Sequence, residues 1–197
     1  NQNSLPLIQQ FPQKKYFKSF NYNPEIVTDT AKFWISAQKI INKDKKVKFF
    51  KTHNALSAIN NSKFTDKKNT IGCIYVVRDP RNVITSIQNH YEMTKEESLN
   101  FMLNESKFIY DYSIKNDYSN FQFISSWAKN YQSWLNQKIF SVILIKYEDL
   151  IKDTFETFKK VIEFIELITK SQKAYNEEKA KISIQSTTFE KMKKMER

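Results

Sequence analysis

Three stretches of the chain carry the apolar pattern of buried β-strands. Residues 71–77 contain the continuous apolar run IYVV, and residues 141–147 read SVILIKY. A shorter apolar stretch lies upstream of both, at residues 47–51. Apolar runs of this length, bounded by polar residues, are typical of parallel strands covered on both faces. The pattern therefore predicts three strands, at residues 47–51, 71–77 and 141–147.

Helix-start signals precede the first two predicted helices. Asn23-Pro24 places a capping residue before a proline, which favours a helix that continues to about Asn42. Asp79-Pro80 repeats this arrangement directly after the strand at residues 71–77, and apolar residues follow it at helical spacing. Residues 1–23 carry neither pattern, so we expect them to be irregular.

The stretch from residue 95 to residue 136 is predicted to be mostly helical. Near its end, an apolar stripe at helical spacing includes Trp127 and Trp134. Trp34 belongs to a similar stripe in the first predicted helix. Because all three tryptophans follow helix periodicity, we expect each of them to be a core residue.

A capping signal opens the last third of the chain. Asp153 and Glu156 lie three residues apart, which is the spacing of a capping box ahead of an amphipathic helix. The tail is predicted to be helical with a break near residues 183–188. Strands that alternate with helices imply a three-layer α/β fold, with a mostly parallel sheet flanked by helices. A chain of 197 residues without a repeat or flexible linker is expected to form a single domain, residues 1–197.

The charge of the chain is strongly positive but evenly distributed. Lys and Arg number 32 against 21 Asp and Glu, which gives a formal net charge of +11. This charge fits an anionic ligand, whereas codon bias in an AT-rich genome would also account for the many lysines. The lysines are scattered, and no like-charged run is long enough for a nucleic-acid arm. We therefore expect no nucleic-acid partner.

Composition narrows the remaining function classes. The sequence has no run of 18 apolar residues, so no membrane span is expected, and its first residues do not resemble a signal peptide. Cys73 is the single cysteine, which excludes an internal disulfide and fits a reducing, cytoplasmic compartment. Two histidines and one cysteine without paired ligand spacing predict no metal site.

Arg78 stands where a phosphate ligand could bind. It ends a predicted parallel strand, and ligands of such sheets bind beyond the carboxyl ends of the strands. The helix that begins at Asp79-Pro80 would direct its N–H groups and positive dipole end toward the same place. Ser86 lies two turns into that helix, on the side of Asp79, and adds a hydroxyl donor. The alternative is that Arg78 pairs with a carboxylate and Ser86 is an ordinary surface residue.

The segment IYVVRDPRNVITS, residues 74–86, resembles the 3′-phosphate-binding segment of sulfotransferases that use 3′-phosphoadenosine 5′-phosphosulfate (PAPS). In that family an Arg ends the strand and a Ser lies eight positions later, as Arg78 and Ser86 do here. The resemblance implies the sulfotransferase fold, which is related to the P-loop nucleotide transferases. It also implies that PAPS is the co-substrate and that Arg78 and Ser86 hold its 3′-phosphate.

Further segments resemble the same family, in the same order along the chain. FKTH, residues 50–53, is similar to the Lys-Thr-His segment that carries the catalytic histidine. KYEDL, residues 146–150, resembles the segment whose tyrosine contacts the adenosine, here Tyr147. SWAKNYQSWL, residues 126–135, resembles a Trp-rich helix of the family. TTFEKM resembles the segment that packs on the adenine, which implies cofactor contacts from Thr187, Thr188 and Phe189.

The resemblance also implies a reaction, the transfer of a sulfuryl group from PAPS to an acceptor hydroxyl or amine. His53 would be the general base, since the pKa of histidine lies near neutrality. Lys51 lies on the same side of the extended chain and would stabilise negative charge on the transferring group. Thr52 faces the other way and is expected to be structural. Without the resemblance, a hydrogen-bonded loop histidine is the better interpretation of His53, and solvent exposure at a helix end that of His90.

Two segments of the family pattern are not found in this sequence. One is the 5′-phosphosulfate loop, a Pro-Lys-Ser-Gly-Thr-Thr-Trp-like turn, and the other is a C-terminal Arg-Lys-Gly segment. Gly72, the only glycine, lies inside a predicted strand. We therefore expect a sulfotransferase-like domain that is incomplete at both ends, or a degenerate protein that binds the cofactor without activity.

The sequence leaves two alternatives to sulfuryl transfer and does not identify the acceptor. A nucleotide kinase-like phosphoryl transferase would need a GxxxxGK[ST] loop and Mg²⁺-binding carboxylates, and neither is visible. A basic binding module for nucleic acid would need clustered basic and aromatic residues. The acceptor, a small molecule or a glycan, is expected to bind among residues 1–23, 54–70 and 92–120, whose aromatic residues suit a sugar or a small aromatic equally.

Overall fold

The computed structural model describes residues 8–171 and 175–187, which alternate between short strands and helices. The strands are β1 (Gln9–Gln10), β2 (Phe50–Lys51), β3 (Ala58–Ile59), β4 (Ser62–Lys63), β5 (Gly72–Val77), β6 (Phe108–Ile109), β7 (Gln122–Phe123) and β8 (Ser141–Lys146). The α-helices are α1 (Trp34–Ile41), α2 (Pro80–Tyr91), α3 (Lys95–Leu103), α4 (Trp127–Leu135), α5 (Tyr147–Lys152), α6 (Thr154–Thr169) and α7 (Glu177–Ser186). The expected α/β class is confirmed.

The described residues form two compact units. The first unit comprises residues 8–70 and 84–139, and the second comprises residues 71–83 together with the described part of residues 140–187. In the first unit β1 pairs with β2 in parallel, while β3–β4 and β6–β7 are antiparallel pairs. In the second unit β5 and β8 form a parallel pair.

Aromatic rings build the core of the first unit. Trp34 on α1 is fully buried, and its ring centroid lies 5.2 Å from that of Phe64 and 5.6 Å from that of Phe121. Trp134 on α4 is also buried and packs against Phe64, with ring centroids 6.3 Å apart. Aromatic pairs at such distances add about 0.5–1.5 kcal/mol beyond their area burial. The predicted core positions of Trp34 and Trp134 are therefore confirmed.

Trp127 was predicted to be a core residue, and the structure corrects this. It is the first residue of α4 and only half-buried, with its ring stacked on that of Tyr131 at 5.6 Å. Ser126 caps the helix by accepting a hydrogen bond from the Lys129 N–H. A residue at the first position of a helix has neighbours on fewer sides than one in its middle, so periodicity overstated the burial of Trp127.

The prediction that residues 95–136 are mostly helical is wrong for their central part. Helix α3 ends at Leu103 and α4 begins at Trp127, with turns and the β6–β7 pair between them. Asp111 accepts a hydrogen bond from the Ser113 N–H, and Asp117 accepts one from the Ser119 N–H. Such local side chain–backbone bonds compete with helical hydrogen bonds, so they favour turns in this segment.

The beginning of the chain also differs from the prediction. Asn23 accepts a hydrogen bond from the Glu25 N–H, which forms a turn instead of a helix cap. A 3₁₀-helix at Asp29–Phe33 follows, and α1 begins only at Trp34. Residues 9–10, expected to be irregular, form β1 beside β2. The strand predicted at residues 47–51 shrinks to Phe50–Lys51 and does not share a described sheet with β5 and β8.

The second unit follows its predicted pattern closely. Strands β5 and β8 pair in register over six residues each, from Gly72 opposite Ser141 to Val77 opposite Lys146. Helix α6 is capped by Asp153, whose carboxylate accepts a hydrogen bond from the Glu156 N–H, as the capping signal predicted.

The single cysteine lies in β5 of the second unit. Burial raises the pKa of the Cys73 thiol to about 12, so this thiol stays protonated at neutral pH.

The last described helix is longer than predicted. Helix α7 continues through Ser183 and ends at Ser186, so within the described residues the helix breaks only at Thr187 and not already at Ser183.

Left-handed backbone conformations in this chain fall on residues other than glycine. Seven described residues have positive φ angles between 48° and 64°, and none of them is a glycine. They are Lys45, Asn60, Asn61, Glu92, Asn116, Ser125 and Lys170. Gly72 serves close packing instead. A Cβ atom placed there would lie 2.6 Å from Ile168 Cδ1, 3.2 Å from the Ser141 carbonyl oxygen and 3.3 Å from Phe164 Cζ.

We predict that Gly72→Ala destabilises the protein despite the usual preference of strands for residues larger than glycine. The added methyl group would overpack the space between β5 and α6, so we expect the free energy of unfolding to fall by about 1–3 kcal/mol. Urea denaturation measures this change. Ile168→Val removes the nearest atom, and we expect the double variant to lose less stability than the two single variants added together.

Ser183→Ala, at an exposed position on α7, serves as the control and should change stability by less than about 0.5 kcal/mol. An increase in stability from Gly72→Ala would contradict the packing explanation, because it would mean that Ile168 moves aside without cost.

Candidate active site

The register of the β5–β8 pair brings two predicted cofactor residues side by side. Val77 and Lys146 are the last paired residues of the two strands, and Arg78 and Tyr147 follow them directly. The Arg78 guanidinium carbon lies 4.8 Å from the centre of the Tyr147 ring, a cation–π contact. Tyr147 is the first residue of α5 and not the last of the strand, which corrects its predicted place by one element.

Carboxylates surround the Arg78 side of this junction. Glu148 accepts a hydrogen bond from the Asp79 N–H at 3.0 Å. This bond and the neighbouring Arg78 charge contribute to a lowered pKa for Glu148. Asp79 pairs with Arg81, whose guanidinium and N–H lower the pKa of Asp79 to about 2. Both carboxylates are therefore ionised at neutral pH.

The first turn of α2 offers a phosphate fewer N–H groups than expected. The Asp79 carboxylate accepts a hydrogen bond from the Arg81 N–H, as a helix cap does. The Asp79 carbonyl accepts hydrogen bonds from the N–H groups of Asn82 and Val83, and Pro80 has no N–H to give. A phosphate at this junction would therefore depend on side-chain donors, chiefly Arg78, more than on the helix N-terminus.

Two other predicted cofactor residues are exposed, one on a helix and one directly after a helix. Ser86 lies on α2, in the part of the helix that belongs to the first unit. Thr187 follows α7, and its hydroxyl donates a hydrogen bond to the Ser183 carbonyl at 2.9 Å, so this threonine caps the end of its own helix. Thr188 and Phe189 lie outside the described residues, and their predicted adenine contacts remain predictions.

The predicted catalytic residues Lys51 and His53 lie in the first unit, where two amide side chains fix the backbone of His53. Buried Gln122 accepts a hydrogen bond from the His53 N–H at 2.7 Å, and the Asn130 side chain donates one to the His53 carbonyl at 3.0 Å. Because both bonds go to the backbone, they hold His53 in place without using its ring.

The neighbouring Asn54 ties the same segment to the core. Its buried side chain accepts a hydrogen bond from the Phe123 N–H at 2.8 Å, and its carbonyl accepts one from Trp134 Nε1 at 2.8 Å. The Thr52 hydroxyl accepts hydrogen bonds from the backbone and side chain of Asn54. Thr52 therefore has the structural role that was expected for it.

The electrostatic environment of His53 favours its neutral form. Desolvation is the main cause of a lowered pKa for its imidazole, and the Lys51 charge lowers the pKa further. A neutral imidazole has a nitrogen lone pair that can accept a proton. That Lys51 and His53 lie on the same side of the chain stays a prediction.

His53 lines an open pocket of about 370 Å³ in the first unit. The other lining residues are largely polar or aromatic and come from the N-terminal segment, the end of α2 and residues 109–122. His90 is exposed at the end of α2, as predicted, and contributes to the same pocket. The pocket thus draws on two of the three segments from which an acceptor site was expected.

Sequence reasoning missed the residues that hold His53. Gln122, Asn130 and Asn54 bond to backbone groups about 70 to 80 positions away in the chain. Hydrophobic periodicity does not predict contacts of this kind. The identity of a single Asn or Gln in the sequence also does not indicate whether its side chain is buried or exposed. The one available signal was the Trp-rich segment itself, since α4 carries both Asn130 and Trp134.

Neither a metal-binding cluster nor a membrane-spanning helix is found among the residues that the structure describes. In the part of the chain that the structure describes, no group of three or more His, Cys, Asp or Glu side chains is arranged to hold a metal ion. None of the helices bounded above is both long enough and apolar enough to cross a membrane.

Known proteins resemble this chain in sequence and in fold. Sulfotransferase 1A1 of Mus musculus is 26% identical over 147 residues, which are 74% of this chain and 45% of that protein. The crystal structure of mouse sulfotransferase SULT7A1 complexed with PAP matches with a TM-score of 0.50 at 22% identity, over 79% of this chain and 52% of that one. The chain thus spans about half the length of these relatives.

The family itself is shown by a broader match. The profile of the sulfotransferase domain matches residues 4–197, nearly the whole length of the sequence. This agrees with the fold of the second unit, with the resemblance of the segment around Arg78, and with the structural neighbour. The chain therefore belongs to the sulfotransferase domain family.

Proposed function

We propose that this chain is the part of a sulfotransferase that binds the nucleotide end of PAPS and carries the general base. One observation carries the proposal: Arg78 lies against Tyr147 at the carboxyl ends of two paired parallel strands. A guanidinium offers a planar fork of donors for a phosphate, and the tyrosine ring limits the orientations of that fork.

The nucleotide ligand we propose is PAPS, or PAP after transfer. Arg78 and Ser86 are the proposed ligands of its 3′-phosphate, and Tyr147 the proposed contact of its adenosine. Thr187, Thr188 and Phe189 are proposed to face the adenine, and the bond from Thr187 to Ser183 is compatible with a second contact through the same hydroxyl oxygen. The match to a PAP-bound mouse sulfotransferase supports this choice of nucleotide.

The proposed reaction forms one bond to sulfur and breaks another. The acceptor oxygen attacks the sulfur of PAPS, the bond from sulfur to the 5′-phosphate oxygen breaks, and PAP leaves with the electron pair. His53 accepts the proton that the acceptor hydroxyl loses. Lys51 stabilises negative charge that develops on the transferring group and on the departing oxygen. The lowered pKa of His53 supports this role, because the ring is neutral at pH 7.

We predict that the chain binds PAP without a metal and that Arg78 dominates the affinity. Calorimetric titration should give tighter binding of PAP than of ATP, with no dependence on Mg²⁺. Arg78→Gln removes a charge-assisted contact and should weaken PAP binding about 10- to 100-fold. Ser86→Ala removes one neutral hydrogen bond and should weaken it about fivefold.

The control for each variant is the matching substitution at a nearby residue of similar chemistry. Arg81→Gln also removes one positive charge near α2, but Arg81 is exposed and paired with Asp79, so PAP affinity should change less than about threefold. Thr85→Ala removes an exposed hydroxyl one residue before Ser86 and should have no effect. Tighter binding of ATP with Mg²⁺ would refute the proposal and favour a phosphoryl transferase.

We predict that His53 titrates below its ordinary pKa of 6.5 and that Lys51 is part of the reason. NMR titration of the imidazole should show a higher pKa in Lys51→Met, because the charge that disfavours the imidazolium is gone. Lys63→Met, an exposed lysine on β4, is the control and should leave the titration unchanged. An unchanged His53 titration in Lys51→Met would contradict the proximity of the two groups.

The direction of this shift also fixes its effect on folding. The unfolded chain binds the His53 proton more readily than the folded chain does, because the folded-state pKa is the lower one. The contribution of His53 to stability is therefore fully present above pH 6.5, and it is lost as the pH falls through the folded-state pKa.

The base role predicts a selective loss of transfer in His53→Gln. With ³⁵S-labelled PAPS and a mixture of sugar and phenol acceptors, we expect the rate to fall about 100-fold or more. The affinity for PAP should stay within a factor of two, which separates a lost base from a lost fold. Equal transfer by both proteins would contradict the base role. PAP binding without transfer by the unaltered chain would favour a cofactor-binding protein without activity.

A further inference from the structure

The pocket that His53 lines has a composition unlike that of the rest of the chain. Lys and Arg make up 32 of the 197 residues, yet none of the described residues that line this pocket is a Lys or an Arg. Four of the lining residues are Gln or Asn, and Ile109 is the one aliphatic side chain among them. Ligand pockets commonly measure roughly 300–1,000 Å³, so one of this size holds a molecule of one or two rings.

The amides of the pocket are oriented as hydrogen-bond donors. The side-chain oxygen of Asn120 accepts a hydrogen bond from the Lys14 N–H at 2.6 Å. The side-chain oxygen of Gln122 accepts the His53 N–H. With the oxygen of each amide engaged, its NH₂ group is the part left to donate to a ligand oxygen. Gln13 adds a third amide. It directly precedes the short 3₁₀-helix Lys14–Tyr16, and its side chain makes no capping bond to that helix.

The pocket also offers an acceptor and an aromatic surface. Asp111 accepts hydrogen bonds from the N–H and hydroxyl of Ser113 through Oδ1, so Oδ2 can accept one from a ligand hydroxyl. The Tyr110 ring contacts two other tyrosines, with its centroid 4.4 Å from that of Tyr112 and 4.8 Å from that of Tyr118. A sugar ring suits this combination, because it has hydroxyl groups around its edge and C–H groups on its faces.

We propose that the acceptor of the sulfuryl group is a neutral sugar, bound in this pocket with its ring against Tyr110 and one hydroxyl at His53. The inference rests on the proposed function, because it takes His53 as the base. A phenol would bury its apolar ring among amides and a carboxylate, which would lose hydrogen bonds to water without replacement. An anionic sugar would meet the Asp111 charge in the pocket itself, whereas Lys51, whose charge acts on His53, is not among the described lining residues.

NMR titration of the full chain tests this proposal through the His53 imidazole resonances, without requiring turnover. The probes are methyl β-glucoside, methyl β-glucuronide and 4-nitrophenol, which represent a neutral sugar, an anionic sugar and a phenol. We expect the glucoside to perturb His53 and to bind at least tenfold more tightly than either of the others. Preference for the glucuronide or the phenol, or no binding by any of the three, would overturn the proposal.

Variants of the pocket make the test specific. Gln13→Leu keeps the side-chain volume but removes one donor, so glucoside affinity should fall about fivefold. Gln132→Leu changes an exposed amide on α4 outside the pocket, and affinity should not change. Asp111→Asn should narrow the gap between glucoside and glucuronide. Equal glucoside binding by Gln13→Leu and Gln132→Leu would place the sugar elsewhere and refute the site.

A PAP titration of the same samples separates this inference from the function on which it rests. PAP binding without glucoside binding would refute the sugar pocket and leave the nucleotide site standing. Glucoside binding at His53 without PAP binding would refute the nucleotide site and leave the sugar pocket standing.

Discussion

The parallel pairing of β5 with β8 is the constraint on which the proposed nucleotide site of this protein depends. Six residue pairs fix the register, and the register decides which side chains emerge together at the carboxyl ends. Because Val77 lies opposite Lys146, Arg78 and Tyr147 leave the sheet as neighbours. A shift of one residue would turn every side chain of one strand to the opposite face and separate the pair.

The same junction determines which groups would be available to a bound anion. A helix N-terminus often supplies free N–H groups to a phosphate, but here the Asp79 side chain and carbonyl already accept those of Arg81, Asn82 and Val83. The cap stabilises α2 directly after the strand, so a phosphate bound here would depend on side-chain donors. Arg78 offers a planar fork of donors that matches the geometry of a phosphate.

Much of the second unit could be predicted from sequence because its signals are local. Strand β5 was expected at residues 71–77 and β8 at residues 141–147, and each lies within one residue of those bounds at both ends. Asp153 caps α6 as its spacing indicated. A continuous apolar run and a capping residue depend only on nearby sequence. The elements they predict therefore form independently of contacts with distant parts of the chain.

The first unit was predicted less well because its structure depends on distant contacts. Residues 95–136 were expected to be mostly helical, but Asp111 and Asp117 hold turns between α3 and α4. Strand β2 is short and has β1 as its partner, from a segment without any strand pattern. The role of His53 could be suggested by resemblance to a family, whereas the amides of Gln122 and Asn130 that hold it could not, since their partners lie far away in sequence.

The scarcity of glycine has a consequence for how this chain responds to mutation. A residue with a Cβ atom in the left-handed region carries a steric cost of roughly 1–2 kcal/mol, less for asparagine, and seven described residues are in that position. The sequence thus accepts conformational strain at its turns and keeps its single glycine for a crowded strand–helix contact. A substitution at one of these turns therefore changes stability through the backbone conformation, even where the side chain lies on the surface.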